Sequence, residues 1–334
     1  ITMALHDSGG YNMDADFVNT VHRTQVSHHP DAFDPTPIQR GISVYYGDMV
    51  YGRISFAIIA DRMFKSGPVG MVPKLKGRQD HLNDPTVDVK TLDHPDAKLL
   101  GKRQLDFLSQ WAADWKGADQ KMVLSATIFC NLANYHGYRQ TYIIADMDSN
   151  GWPQTGRNKA LDVIRRSHAL MIAGDQHLAS VVQHGVDEHG DAGFSFCVPS
   201  IAAGYPRSWR PDKEGRPVVN RINGLDNTGD YKEGFGNRVS VHAIANPEKV
   251  NRGPILELLH DKASGHGLVT VDRAAGTMKL ECFKLLFDAN AVRAEDQFPG
   301  WPKTINVADN YARKAAAWLP EISVSGLSQK PVFQ

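Results

Sequence analysis

The tetrapeptide Gly174-Asp175-Gln176-His177 closes an apolar run, Ala169–Ala173, and sets a carboxylate and an imidazole two residues apart. At that spacing an oxygen and a nitrogen donor can reach one metal ion, as hard and borderline ligands. In open α/β sheets ligands gather beyond the carboxyl ends of strands, where this tetrapeptide falls. Asp is also common in any turn after a strand, so a purely structural turn stays open on these residues alone. A second polar group is Asp146-Met147-Asp148-Ser149-Asn150-Gly151-Trp152-Pro153, followed by Arg157. Two carboxylates and an Asn make it cation-friendly, although its composition is equally that of a tight turn, and its spacing is not that of an EF-hand. The third is Asp61-Arg62 after the apolar run Ile54–Ala60, where an Arg can clamp a phosphate or form an ordinary ion pair. His28-His29 cannot chelate from one helix face, because neighbours point about 100° apart. His6, His81, His94, His184, His189, His260 and His266 sit among polar or turn residues and read as surface groups. No GxSxG, HExxH, Walker or GxGxxG pattern occurs, so Ser-based hydrolysis, zincin proteolysis and NTP hydrolysis lose ground.

These groups need a scaffold, and the hydrophobic pattern supplies one. Asp14 is placed to cap a helix from Ala15 to Ser27, and the Pro-rich segment His29–Gly41 reads as a loop. Ile42–Tyr46 alternates like a strand and pairs as a hairpin with Ile54–Ala60. The long polar stretch Arg62–Asp96, rich in Gly and Pro, reads as a functional lid or insertion. Leu105, Leu108, Trp111, Ala112 and Trp115 recur at helical spacing within Leu100–Trp115. Met122–Phe129 and Tyr142–Ala145 read as strands, Arg157–His168 as an amphipathic helix, and Ala169–Ala173 as a strand. That alternation predicts an α/β layered domain. Beyond about residue 190 the strand-like stretches Phe194–Val198, Val239–Ile244, Leu268–Asp272 and Met278–Leu285 make the chain β-rich, with a hairpin turn at Ala274–Gly276 and a further strand-like Ile322–Val324.

Composition narrows the partners. The 334 residues carry 37 Lys+Arg and 37 Asp+Glu, so no charge excess is available to neutralise a nucleic-acid backbone or an anionic membrane surface. No apolar run approaches the roughly 18 residues that span a bilayer. Cys130, Cys197 and Cys282 form no CxxC pair, which removes zinc ribbons and thioredoxin-type chemistry.

The segments Ile54–Lys65 (ISFAIIADRMFK), Leu99–Trp115 (LLGKRQLDFLSQWAADW), Met122–Phe129, Asp146–Arg157 (DMDSNGWPQTGR) and Met171–Ser180 (MIAGDQHLAS), taken in order, resemble the PhoD-like alkaline phosphatases of the metallophosphoesterase superfamily. The family shows an Asp–Arg pair after a strand, an "LG..Q..WL" helix, a strand, a Trp-containing loop with an Arg, and GDxH in the same sequence. The resemblance covers residues 8–290, and Ser8 to Tyr46 looks like a subgroup found in large secreted or envelope-associated bacterial proteins. It implies a four-layer α/β/β/α sandwich, here with a β-rich C-terminal part, and a two-metal site at strand ends. The metals are drawn from Ca, Fe, Mn or Zn, and the substrate is a phosphoester. It implies Asp175 and His177 as metal ligands through GDxH, with Asp61 and Asn150 as further metal residues. Arg62 and Arg157 would position phosphate, and Asp148 would belong to the catalytic group. The family's upstream motifs, an early Asp strand end, a GDQ-type loop and a DDH-type segment, are missing from this sequence. The resemblance therefore implies the later portion of a longer periplasmic or extracellular enzyme, inactive by itself and incomplete at its N-terminus. Residues 1–290 would be phosphatase domain, and 291–334 an extension or the start of a further β element. The missing ligands also leave open a binding or scaffold domain that keeps the fold without the site.

Overall fold

A computed structural model of the chain describes residues 13–201, 203–250, 256–313 and 325–326. Helix α1 (Ala15–Gln25) starts at Asp14, whose carboxylate accepts the N–H groups of Asp16 and Phe17. Strands β1 (Gly47–Tyr51) and β2 (Ile54–Ile58) form an antiparallel hairpin, and β2 runs into the short helix α2 (Asp61–Phe64). Then come β3 (His81–Leu82), helix α3 (Gly101–Ala113), β4 (Gln120–Thr127), the short strands β5 (Tyr135–His136), β6 (Thr141–Tyr142) and β7 (Ala145–Asp146), and helix α4 (Gln154–Arg165). The later chain is mostly sheet: β8 (Leu170–Gly174), β9 (Ser180–His184), β10 (Phe194–Cys197), β11 (Arg207–Ser208), β12 (Gly229–Lys232) and β13 (Arg238–Ile244). After helix α5 (Leu256–Asp261) follow β14 (Gly265–Asp272), β15 (Thr277–Lys284) and β16 (Lys303–Asn306).

An eight-stranded sheet of order β1-β2-β4-β8-β10-β9-β13-β12 forms the frame. Its centre, β2, β4, β8 and β10, is parallel, and both margins are antiparallel. The period-2 geometry of a strand explains the unbroken apolar runs, since both sheet faces are buried. Val123 and Met171 pack with Phe107, Leu108, Trp111, Leu161 and Ile164 of α3 and α4. Their neighbours Met122 and Leu170 point the other way, into a core with Met278, Leu280, Cys282 and Ile305 of the three-stranded sheet β14-β15-β16. The class is therefore α/β, with a helical layer, the large sheet and a second sheet face to face. Among the described residues no helix covers the outer face of that second sheet.

Several elements differ from the sequence reading. The partner of β2 is Gly47–Tyr51, not Ile42–Tyr46. Ile42 and Tyr46 are fully buried, so their alternation reflects a loop anchored in the core, with Phe33 N–H donating to the Tyr46 carbonyl. The segment 62–96 has its own small core, Val72, Leu75, Leu82 and Leu92 against Met147, Trp152 and Phe235, so it is packed rather than a loose lid. The stretch Tyr142–Ala145 is broken into β6 and β7, which pair with different strands. Strands β9, β12 and β16 are absent from the sequence reading; β12 and β16 sit at sheet edges. Lys303–Asn306, beyond residue 290, pairs with β15; Ile322–Val324 lies outside the described residues.

Phe107 is fully buried between Phe33 and Tyr46, with ring centroids at 5.0 and 5.6 Å. Phe107→Ala is expected to cost about 3–5 kcal/mol, because the cavity can collapse only partly. Urea unfolding reads this as a lower midpoint at unchanged slope; a midpoint close to wild type would contradict this packing.

Candidate functional site

The carboxyl ends of β2, β4 and β8 converge on one polar cluster, because these strands are adjacent and parallel. Asp61, just past β2, is fully buried. Its carboxylate accepts Ser125 Oγ, Ala126 N and Thr127 N, each at 3.2 Å, and Asn150 Nδ2 at 2.6 Å. Asn150 Nδ2 also donates to the Thr127 carbonyl at 3.1 Å, and since both partners only accept, the amide orientation is fixed. That leaves Asn150 Oδ1 buried without a donor. Arg62, the next residue, is bidentate to Asp148 and reaches Asp175 Oδ2 at 2.6 Å. Burial pushes the Asp148 carboxyl up, but the Arg62 hydrogen bonds and charge outweigh it and hold it down to about 2. Lys65 ties α2 to the same loop, donating to the carbonyls of Met147, Asp148 and Ser149 at 2.6, 3.1 and 2.6 Å. Burial lowers its ammonium pKa to about 8 despite the opposing charge of Asp148.

The turn after β8 is drawn tight. Gln176 N–H donates to the Gly174 carbonyl at 2.8 Å, while Asp175 and His177 both take left-handed backbone, at φ 68° and 52°. Non-glycine residues in that region mark stored strain, which accumulates at functional turns. Thr127 Oγ1, Arg62 Nη2 and Gln176 Nε2 all address Asp175 Oδ2, at 2.6, 2.6 and 3.4 Å, whereas Oδ1 accepts no hydrogen bond among the described residues. His177 Nδ1 lies 3.0 Å from the Tyr205 carbonyl. A carbonyl only accepts, so Nδ1 carries the proton and Nε2 keeps its lone pair, the arrangement found behind metal-bound imidazoles. Asp175 Oδ1 and His177 Nε2 are thus each left with a lone pair that no hydrogen bond uses among the described residues. Asp61 is engaged differently: Oδ2 faces Ser125 Oγ, Thr127 N and Asn150 Nδ2, and Oδ1 accepts Ala126 N.

A second group stands beside the first through Asp146, whose Oδ1 accepts the Asp148 N–H at 2.9 Å. Asp146, His81 and His136 each offer a ligand atom, all within 4.8 Å of one another. Burial lowers the His136 pKa to about 3, helped by the charge of Arg207, and burial raises that of Asp146, with Asp148 adding to it. Arg207 stands opposite His136 in the β5–β11 pair. Its Nε and Nη1 are buried without hydrogen bonds, an unusual state for a guanidinium.

No protein-family model matches the sequence, and no curated protein matches it either. The chain is similar to a solved structure described as "Structure of PhoD". The identity is 16% and the TM-score 0.48, and the match covers 84% of this chain and 47% of that one. The chain thus spans about half the length of the structure it matches.

The structure brings Asp61, Arg62, Asp148, Asn150 and Asp175 into one hydrogen-bonded network, with His177 beside it. It does not bring Arg157 there. That side chain is fully buried and donates to the carbonyls of Phe129 and Gly185 at 2.7 and 3.0 Å, so it is no phosphate clamp but a support beneath the sheet margin. Sequence reasoning missed Lys65, Thr127, His136 and Arg207 and placed His81 on the surface. His81, His136 and Arg207 come from separate short strands, so no spacing announces them, whereas Asp146 opens the polar group already singled out.

Because its folded pKa is depressed, Asp148 contributes stability that is present above the ordinary carboxylate range and lost as pH falls toward about 2. Arg62→Met removes the largest influences that oppose burial and leaves only the charges of Lys65 and Arg207. A carboxyl-carbon NMR titration is expected to move Asp148 upward from about 2; an unmoved titration contradicts the pairing.

Proposed function

We propose that the cluster at the ends of β2, β4 and β8 is this chain's share of a metal-dependent phosphoester-hydrolysing centre. The observation that carries this reading is the pair of unspent donors, Asp175 Oδ1 and His177 Nε2, held on a strained turn beside the buried, unpartnered Asn150 Oδ1. A cation held there supplies Lewis-acid polarisation of an ester oxygen and a more acidic bound water.

The chain's own residues do the rest. Thr127 and Arg62 hold Asp175 by one oxygen and so aim the other. Arg62 is spent on Asp148 and Asp175, which makes Asp148 its positioning partner. The phosphate contact expected of Arg157 passes to Arg207, whose unused N–H groups suit a phosphate oxygen. Two cations need more ligands than Asp175 and His177, so a complete centre draws on further residues of the protein that carries this chain. A periplasmic or extracellular setting goes with this reading. The alternative, a binding or scaffold domain, draws support from Asp61 and Asp148, whose carboxylates are taken up by donors rather than left open for metal.

The protein carrying this chain, supplied with Mn, Fe, Ca or Zn, is expected to hydrolyse p-nitrophenyl phosphate or its diester, and Asp175→Ala to lower the rate at least 100-fold. No hydrolysis under any of these metals sinks the enzyme reading and favours the scaffold. Arg207→Met is expected to weaken inhibition by inorganic phosphate about tenfold, as loss of a charge-assisted hydrogen bond does; unchanged inhibition removes Arg207 from the site.

A further inference from the structure

We propose that His81, His136 and Asp146 form a mononuclear site for a borderline divalent cation of the Zn type, separate from the Asp175–His177 pair and independent of the hydrolase reading. Strand β3 pairs with β7 so that His81 stands opposite Asp146, and β5 brings the His136 ring to 5.5 Å from that of His81. The ligand atoms lie within 4.8 Å of one another. Tetrahedral zinc asks for donor separations of roughly 3.4 Å, so side-chain torsions must draw the three atoms in by about 1 Å.

The donor chemistry selects the ion. Two imidazoles and one carboxylate suit Zn, Fe(II) or Co(II) and are a poor match for calcium, which prefers six to eight oxygens. His136 Nε2 lies 2.8 Å from the Ala133 carbonyl and must donate to it, which leaves the Nδ1 lone pair for a metal. The Asp146 carboxylate is almost wholly enclosed and has no Lys or Arg in ion-pair contact among the described residues; the His81 Nε2 atom stands 3.9 Å from its Oδ2. A buried carboxylate in that state is complemented by a cation. Arg78, three residues before His81, is paired with Asp80. Three protein ligands leave one position for water or an anion oxygen. Occupied, the site pins the packed segment 62–96 to β5 and β7 through side chains as well as the short backbone ladder.

The test titrates metal-free protein with Zn by calorimetry and with Co(II) by visible absorption. The variants are His81→Gln, His136→Ala, Asp146→Asn and the Asp175→Ala/His177→Ala double. One tight equivalent is expected in wild type and in the double variant, with affinity at least 100-fold weaker in each triad variant and the Co(II) band lost. His81 is the most exposed of the three, so His81→Gln decides the matter if His136→Ala fails to fold by circular dichroism. Absence of tight Zn in wild type, wild-type affinity in His81→Gln, or loss of that equivalent only in the double variant overturns the proposal. Because the double variant removes the Asp175–His177 donors and leaves the triad, failure of one site is read separately from failure of the other.

Discussion

A carboxylate with no exposure to water holds the strand ends in register. Asp61 accepts backbone N–H groups from the end of β4, the Ser125 hydroxyl and the Asn150 amide, and so ties β2, β4 and the Asp146–Asn150 loop to one point. An ionised group in that position is tolerable only when its lone pairs are filled, and the charge-assisted bonds that fill them are the strong ones. Everything functional hangs from this arrangement. Arg62 follows Asp61 directly, Thr127 is a donor to it, and Asp148 lies two residues before Asn150. The residue that looks most like a metal ligand by type is thus the one whose oxygens build the scaffold.

Strand geometry then decides which groups can meet. With β2, β4 and β8 parallel and adjacent, only residues just past their carboxyl ends share a surface, and Thr127 sits beside Gly174 in the β4–β8 register. The apolar runs inside those strands serve two cores at once, Val123 and Met171 toward the helices and Met122 and Leu170 toward the second sheet. A frame buried on both faces is rigid, and rigidity is what holds a strained turn such as Asp175–His177 in its left-handed backbone.

The fold was largely legible in the sequence wherever burial wrote a period into it. The α3 and α4 helices and the central strands β2, β4, β8 and β10 follow from hydrophobic spacing, and Asp14 announces the first helix by its capping chemistry. Legibility ended where burial and hydrogen bonding part company: Ile42 and Tyr46 alternate like a strand yet anchor a loop. The site divides in the same way. Asp61, Arg62, Asp148, Asn150, Asp175 and His177 lie in local motifs and meet in space, whereas Arg157 shares the motif but not the place, being consumed by backbone carbonyls. His81, His136, Asp146 and Arg207 meet because two-residue strands pair across the chain, and a two-residue strand carries no periodicity to read.

Arg62 raises a question of charge that the geometry answers. A guanidinium bonded to Asp148 and Asp175 repels any cation that shares those carboxylates, and the low dielectric of a partly buried site strengthens the repulsion. The two oxygens of Asp175 divide the work, since Oδ2 collects Arg62, Thr127 and Gln176 and Oδ1 faces away from them. Asp148 takes up the remaining guanidinium N–H groups, so the positive charge of Arg62 is met by two carboxylates rather than one. The cluster sets two cations, Arg62 and Lys65, against three carboxylates, Asp61, Asp148 and Asp175, and leaves a lone pair each on Asp175 and His177. The proposed cation would therefore add to these residues without breaking the hydrogen bonds that hold them.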